Sequence, residues 1–187
     1  CPMKLIIHRG TNQIGGSVTE YEHNGWRLFV DFGEQLPGSV ASEPLGINGL
    51  TKGNLSKSAM LITHYHGDHI GNIHLSPDTI PVFMGKLGLD IQKITSNHLK
   101  GVDEIQARLF ERLEKVTPFK AGVSFAFGPF KVMPIIIDHS AFDACAFKIE
   151  TEDATVFHTG DFRTHGFRSG RLREVIDKYI RKVDYVI

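Results

Sequence analysis

Short apolar runs broken by glycine, proline and polar turns set the rhythm of this chain. Lys4 to His8 reads as a strand, and Arg9 to Gly16 as a glycine-rich loop. Ser17 to Tyr21 and Arg27 to Asp31 alternate as strands around His23-Asn24-Gly25, where Asn-Gly favours a tight hairpin. Gly33 to Asn54 carries Gly, Pro, Ser and Asn and reads as a long loop. Ser58 to Thr63 is an apolar strand. Lys86 to Leu99 and Gly101 to Val116 read as helices. The second has Ile105, Leu109, Leu113 and Val116 on one face, and Pro118 is expected to end it. Val123 to Phe127 and Phe130 to Ile137 form a strand pair around Gly128-Pro129. Cys145 to Glu150 and Thr155 to His158 form another around Glu152-Asp153. Arg171 to Lys182 returns to helical spacing, with its basic residues as a solvated face.

Strands, then helices, then strands again argue for an α+β domain, a mixed sheet with helices packed outside it. The 187 residues suit one domain, or one domain with an extension, and are enough to bury a core. Apolar residues at 41% and charged residues at 22% are ordinary for a soluble globular protein. Basic and acidic residues balance at 21 each, so net charge neither supports nor excludes a nucleic-acid partner. Two cysteines, Cys1 and Cys145, make no disulfide framework and fit a reducing compartment. No secretory signal or membrane-length apolar run is visible, so a cytoplasmic protein without a membrane partner is expected.

The densest chemistry is His64-Tyr65-His66-Gly67-Asp68-His69, directly after the run Ala59-Met60-Leu61-Ile62. Imidazole nitrogens and a carboxylate at this density are what a divalent-metal site needs. In an extended segment His64 and His66 point the same way. Asp68 and His69 lie past a glycine that can turn the chain towards a second ion. A surface loop would not need this spacing after a buried strand.

Two more strand ends carry donors. Asp138-His139-Ser140 follows Ile135-Ile136-Ile137, and His158-Thr159-Gly160-Asp161 follows Thr155-Val156-Phe157. His158 still lies within its strand, so packing or support of a ligand suits it better than ligation. Asp31 ends a strand, and a buried carboxylate there could hold a ligand imidazole in place. His8, His23, His74, His98 and His165 lack such context and read as structural or exposed.

The His64–His69 block resembles the HxHxDH signature of the metallo-beta-lactamase superfamily. Asp31, His139 and Asp161 match its other motifs. Asp138-His139-Ser140-Ala141-Phe142-Asp143-Ala144 and His158-Thr159-Gly160-Asp161-Phe162-Arg163 are similar to its beta-CASP branch. The resemblance runs from about Lys4 to the end. It implies an αββα sandwich, here incomplete, with residues 1–187 as the N-terminal part of the domain. It further implies two divalent ions, zinc first, with manganese or iron as alternatives. His64, His66 and His139 would hold one ion, Asp68 and His69 the other, and Asp161 would bridge. The family's second ion takes one more histidine, after the beta-CASP insertion, and nothing here matches it. The apolar end Asp184-Tyr185-Val186-Ile187 independently suggests a fragment.

The activity implied is hydrolysis of a phosphodiester, with RNA as the substrate, by a metal-bridged hydroxide. Asp68 would both ligate and accept a proton, and Ser140 would donate to a substrate phosphate or bond its own backbone. A thioesterase or lactonase uses the same ligands, and a non-catalytic metal- or nucleic-acid-binding domain is the alternative from another class. A homo-oligomer is compatible with all three. With a ligand missing, the chain alone is expected to cleave RNA weakly or not at all; robust cleavage by it in a purified assay would contradict the missing-ligand reading.

Overall fold

The pattern of β3 (Trp26–Val30) shows how the layers arise. Leu28 and Val30 point to one side of their sheet and Phe29 to the other, as period-two geometry demands, and all three are buried. A strand buried on both faces needs a layer on each side. The computed structural model supplies both. It describes residues 1–9, 16–34, 46–137, 144–160, 174, 177–178 and 183–187, with only the backbone of Asp68.

The first sheet has six strands in sequential order: β1 (Lys4–Arg9), β2 (Val18–His23), β3, β4 (Ser58–Leu61), β5 (Val82–Gly85) and β6 (Thr117–Phe119). β1, β2 and β3 pair antiparallel, and β3 through β6 run parallel. Asn24 and Gly25 both have positive φ, 51° and 80°, as the β2–β3 turn requires. The second sheet has five strands in the order β11 (Tyr185–Val186), β10 (Thr155–His158), β9 (Cys145–Glu150), β8 (Phe130–Ile136) and β7 (Phe125–Phe127).

Between the sheets lie Tyr21, Leu28, Val30, Ala59 and Leu61 of the first and Phe130, Val132, Phe147, Ile149 and Val156 of the second. The outer face of the first sheet packs Phe29, Met60, Ile62 and Met84 under α2 (Lys86–Leu99) and α3 (Glu104–Leu113). Asp103 caps α3 by accepting from the backbone N–H groups of Ile105 and Gln106. Among the described residues, no helix is long and apolar enough to cross a membrane.

The structure departs from the sequence expectation in four places. Val82–Gly85 was not expected as a strand, yet β5 joins the parallel set. The second helix spans Glu104–Leu113, shorter at both ends than the expected Gly101 to Val116, and Pro118 lies in edge strand β6, a tolerated place for a residue without an N–H. Ile105 is 52% exposed and leaves the buried stripe to Leu109, Leu113 and Val116. The His block contains a short helix, α1 (Gly67–Ile70), within the segment expected to turn at Gly67. The helix expected over 171–182 lies largely outside the described residues, so the described layers are helix, sheet and sheet.

Gly128 makes a packing test. Its φ is +53°, and a Cβ there would run into the Trp26 ring, which meets Phe127 edge-on with 5.2 Å between ring centroids. Gly128→Ala is expected to lower stability by about 1–3 kcal/mol through strain and overpacking. It should also shift the emission of Trp26, the chain's single tryptophan. A urea transition followed by fluorescence checks both; an unchanged midpoint would contradict the close approach.

Candidate metal centre

The parallel strands β3 and β4 deliver their following residues to one edge of the first sheet. In α/β sheets this carboxyl edge is where ligands bind. Asp31 follows β3, and Thr63 and His64 follow β4. The Asp31 N–H donates to the Leu61 carbonyl at 2.8 Å, so the two strand ends remain in register as they leave the sheet.

Asp31 takes a left-handed backbone, φ +63°, uncommon for a side chain but tolerated by Asp and Asn. Its carboxylate is 1% exposed, and partners approach both of its oxygens. Oδ1 accepts the Thr63 backbone N–H at 2.8 Å, and Oδ2 accepts the Thr63 hydroxyl at 2.8 Å. His69 Nδ1 lies 2.6 Å from Oδ2. Thr63 Oγ1 is in turn 2.9 Å from His64 Nδ1. Since the hydroxyl proton goes to Asp31, Oγ1 accepts from His64. Both His64 and His69 therefore carry their proton on Nδ1, which leaves Nε2 as the lone-pair atom of each.

Burial alone would raise the Asp31 carboxyl. The pull of the His69 ring and its hydrogen bond, the pull of the His64 ring and the Thr63 N–H outweigh it and hold the group below the usual carboxylate range. Asp31 is thus an anion facing two imidazoles.

The rings of His64 and His69 lie 3.9 Å apart between centroids, and those of His64 and His66 4.9 Å apart. His64 and His69 are buried and His66 is half-buried. α1 accounts for this convergence: it turns the chain straight after His66, so His69 comes back over the strand end. The His69 carbonyl accepts the Phe32 N–H at 2.8 Å, which ties α1 to the segment after Asp31. Of the other sequence candidates, Asp68 contributes a described backbone within α1. His139, Ser140 and Asp161 lie outside the described residues.

His158 is brought to the same region from the second sheet. It is buried, and its Nδ1 lies 2.7 Å from the Tyr21 hydroxyl. Burial raises the Tyr21 phenol far above its ordinary value, so it stays protonated and can donate to that nitrogen. Burial also lowers the His158 imidazole to about 4. The Cys145 N–H donates to the Thr63 carbonyl at 2.8 Å, a second tie between the sheets at this edge. Sequence reasoning missed Thr63, which links Asp31 to both imidazoles. The signal was present in its place between an apolar strand and the first histidine.

No protein-family profile matches the chain. Among curated proteins it is similar to ribonuclease J of Mycobacterium tuberculosis H37Rv, 30% identical over 168 residues, 86% of this chain and 28% of that one. It is also similar to ribonuclease J of Sinorhizobium meliloti, 31% identical over 166 residues, 82% of this chain and 28% of that one. The chain thus spans 28% of the length of each of these two curated relatives. Among solved structures, the metallo-beta-lactamase fold protein YhfI of Bacillus subtilis superposes with a TM-score of 0.54 at 20% identity, over 88% of this chain and 65% of that one. A Thermotoga maritima protein described as a metallo-beta-lactamase gives 0.63 at 19% identity, over 100% of this chain and 96% of that one. The chain has the metallo-beta-lactamase fold.

Burying His158 neutral makes stability depend on pH. An imidazole titrating near 6.5 when unfolded and about 4 when folded contributes its full stability above pH 6.5 and loses it as pH falls through 4. The loss should reach about 3 kcal/mol, roughly 1.4 kcal/mol per pH unit across that window. Urea unfolding of the chain and of His158→Gln at about pH 7, 6, 5 and 4.5 measures it. The variant should show the shallower dependence; equal slopes would remove His158 as the source.

Proposed function

We propose that this chain carries most of a two-cation hydrolase centre that cleaves phosphodiester bonds in RNA. His64, His66 and His139 would hold one divalent ion and Asp68 and His69 the other, with Asp161 between them. The observation that supports this most is the hydrogen bonding of His64 and His69 at Nδ1. Hydrogen bonds at Nδ1, traced back to one buried carboxylate, leave Nε2 as the lone-pair atom on both rings. Metal-binding histidines are held in this way in proteins generally. The donor set fits the ion class too: imidazole with carboxylate suits zinc, and manganese or iron can use such ligands.

When bound, two such cations supply Lewis acidity, lowering the pKa of water and stabilising charge on the attacked phosphate. The chain's own residues prepare the centre. Asp31 fixes ring orientation and adds negative charge behind the ligands. Asp68 accepts a proton as well as ligating, and Ser140 donates to a phosphate oxygen. RNA as the substrate rests on the similarity to ribonuclease J, and the assignment to the beta-CASP branch rests on the stretches Asp138-His139-Ser140-Ala141-Phe142-Asp143-Ala144 and His158-Thr159-Gly160-Asp161-Phe162-Arg163. A cytoplasmic location follows from the same reading. The opposing enzyme reading, a lactonase or thioesterase, uses the same ligands.

The protein that contains this chain, purified and offered an RNA oligonucleotide and an acyl lactone, decides between them. RNA cleavage abolished by chelation is expected. Lactone turnover with the RNA left intact would overturn the proposal.

Asp31→Asn tests the support of the ligands. Asn tolerates the left-handed backbone, so the change removes charge without adding strain. Zinc affinity, read by competition with a chromophoric chelator, should fall about 10–100-fold. Affinity unchanged in the variant would separate Asp31 from metal binding.

A further inference from the structure

At the opposite end of β3 from Asp31, about 17 Å away for five residues of strand, a second group of donors meets. His23 closes β2 beside the Asn24-Gly25 turn and is 1% exposed. Its Nδ1 is buried without a hydrogen bond, and its Nε2 lies 3.1 Å from the Asn24 side-chain amide. Two carboxylates from the β9–β10 turn reach over the same ring. Glu152 Oε1 is 3.5 Å from Nε2, and Asp153 Oδ2 is 3.6 Å from Nδ1. Both separations exceed the usual 2.7–3.2 Å of a hydrogen bond.

One donor atom from each of the three residues lies within 4.8 Å of the other two. A tetrahedral ion with ligands at about 2.1 Å sets those ligands about 3.4 Å apart. The gap between Asp153 and Nδ1 matches that spacing better than it matches direct contact. Two acidic side chains alone would be an ordinary exposed turn. The buried, unbonded Nδ1 facing Asp153 is the additional feature that points to a ligand. A nitrogen donor beside carboxylates selects for a borderline ion such as zinc over calcium or magnesium.

We propose that His23, Glu152 and Asp153 form an additional zinc-class site that clips the β9–β10 turn of the second sheet to the β2–β3 hairpin of the first. Nδ1 is the ligating nitrogen once the Asn24 side chain, whose amide N–H now donates to Nε2, turns its oxygen to accept the ring proton there, and water completes the coordination at the exposed side. Binding would stabilise the folded chain, because the ligands come from two sheets that are separate in the unfolded state. The site involves none of the residues proposed for RNA cleavage and stands or falls without them.

The test uses the chain with His64→Ala and His66→Ala, which disables the strand-end block, and adds Glu152→Gln and Asp153→Asn in a second protein. Both acidic side chains are exposed, at 73% and 42%, so the second protein should fold like the first, as circular dichroism would verify. Equilibrium dialysis against zinc should give one more ion per chain in the first than in the second. Zinc should raise the melting temperature of the first and leave that of the second unchanged. Nitrogen chemical shifts of His23 should move at Nδ1 on zinc addition. Equal zinc uptake by the two proteins, or none by either, would overturn the site.

Discussion

A single buried carboxylate organises one end of this molecule. Asp31 sits where β3 leaves the sheet, on a backbone conformation that turns its side chain back towards the end of β4. There it receives the Thr63 N–H, the Thr63 hydroxyl and the His69 ring. Burying a charge is costly unless its oxygens are hydrogen-bonded. The carboxylate meets that condition only when Thr63 and His69 stand where they do. The cost of misplacing Asp31 is therefore what holds the imidazoles in position.

The rest of the fold makes that arrangement possible. Parallel pairing of β3 with β4 puts Asp31 and Thr63 at one edge. The tie from Cys145 to the Thr63 carbonyl couples this edge to the second sheet, whose strand β8 leads towards His139. α1 folds His69 back over the strand end and the Phe32 N–H fastens it. The apolar layer between the sheets, with Phe130, Phe147 and Leu28 fully enclosed, supplies the rigidity that such alignment needs. Tyr21 and His158 extend the polar network across that layer.

Much of this is legible in the sequence itself. The hairpin at Asn24-Gly25, the helix over Lys86–Leu99 and the later strands follow from local turn chemistry and periodicity. The parallel strand β5 was not legible, because Val82–Gly85 is too short to show a period and its pairing is decided by strands distant in sequence. Pro118 misled because a residue that stops helices is equally at home on an edge strand. In the candidate centre, the histidines announced themselves by spacing. Thr63 did not, because a threonine after a strand is ordinary until its hydroxyl is seen between a carboxylate and an imidazole. His23 was passed over for the same reason: its acidic neighbours come from another sheet.

The account turns on where the protons sit on His64 and His69. Long-range nitrogen–proton correlation spectra of histidine side chains read this directly. Both residues should appear as Nδ1-protonated rings without metal, and zinc should then move the Nε2 resonances while Nδ1 keeps its proton. Rings protonated at Nε2, or zinc-induced shifts centred on Nδ1, would contradict it.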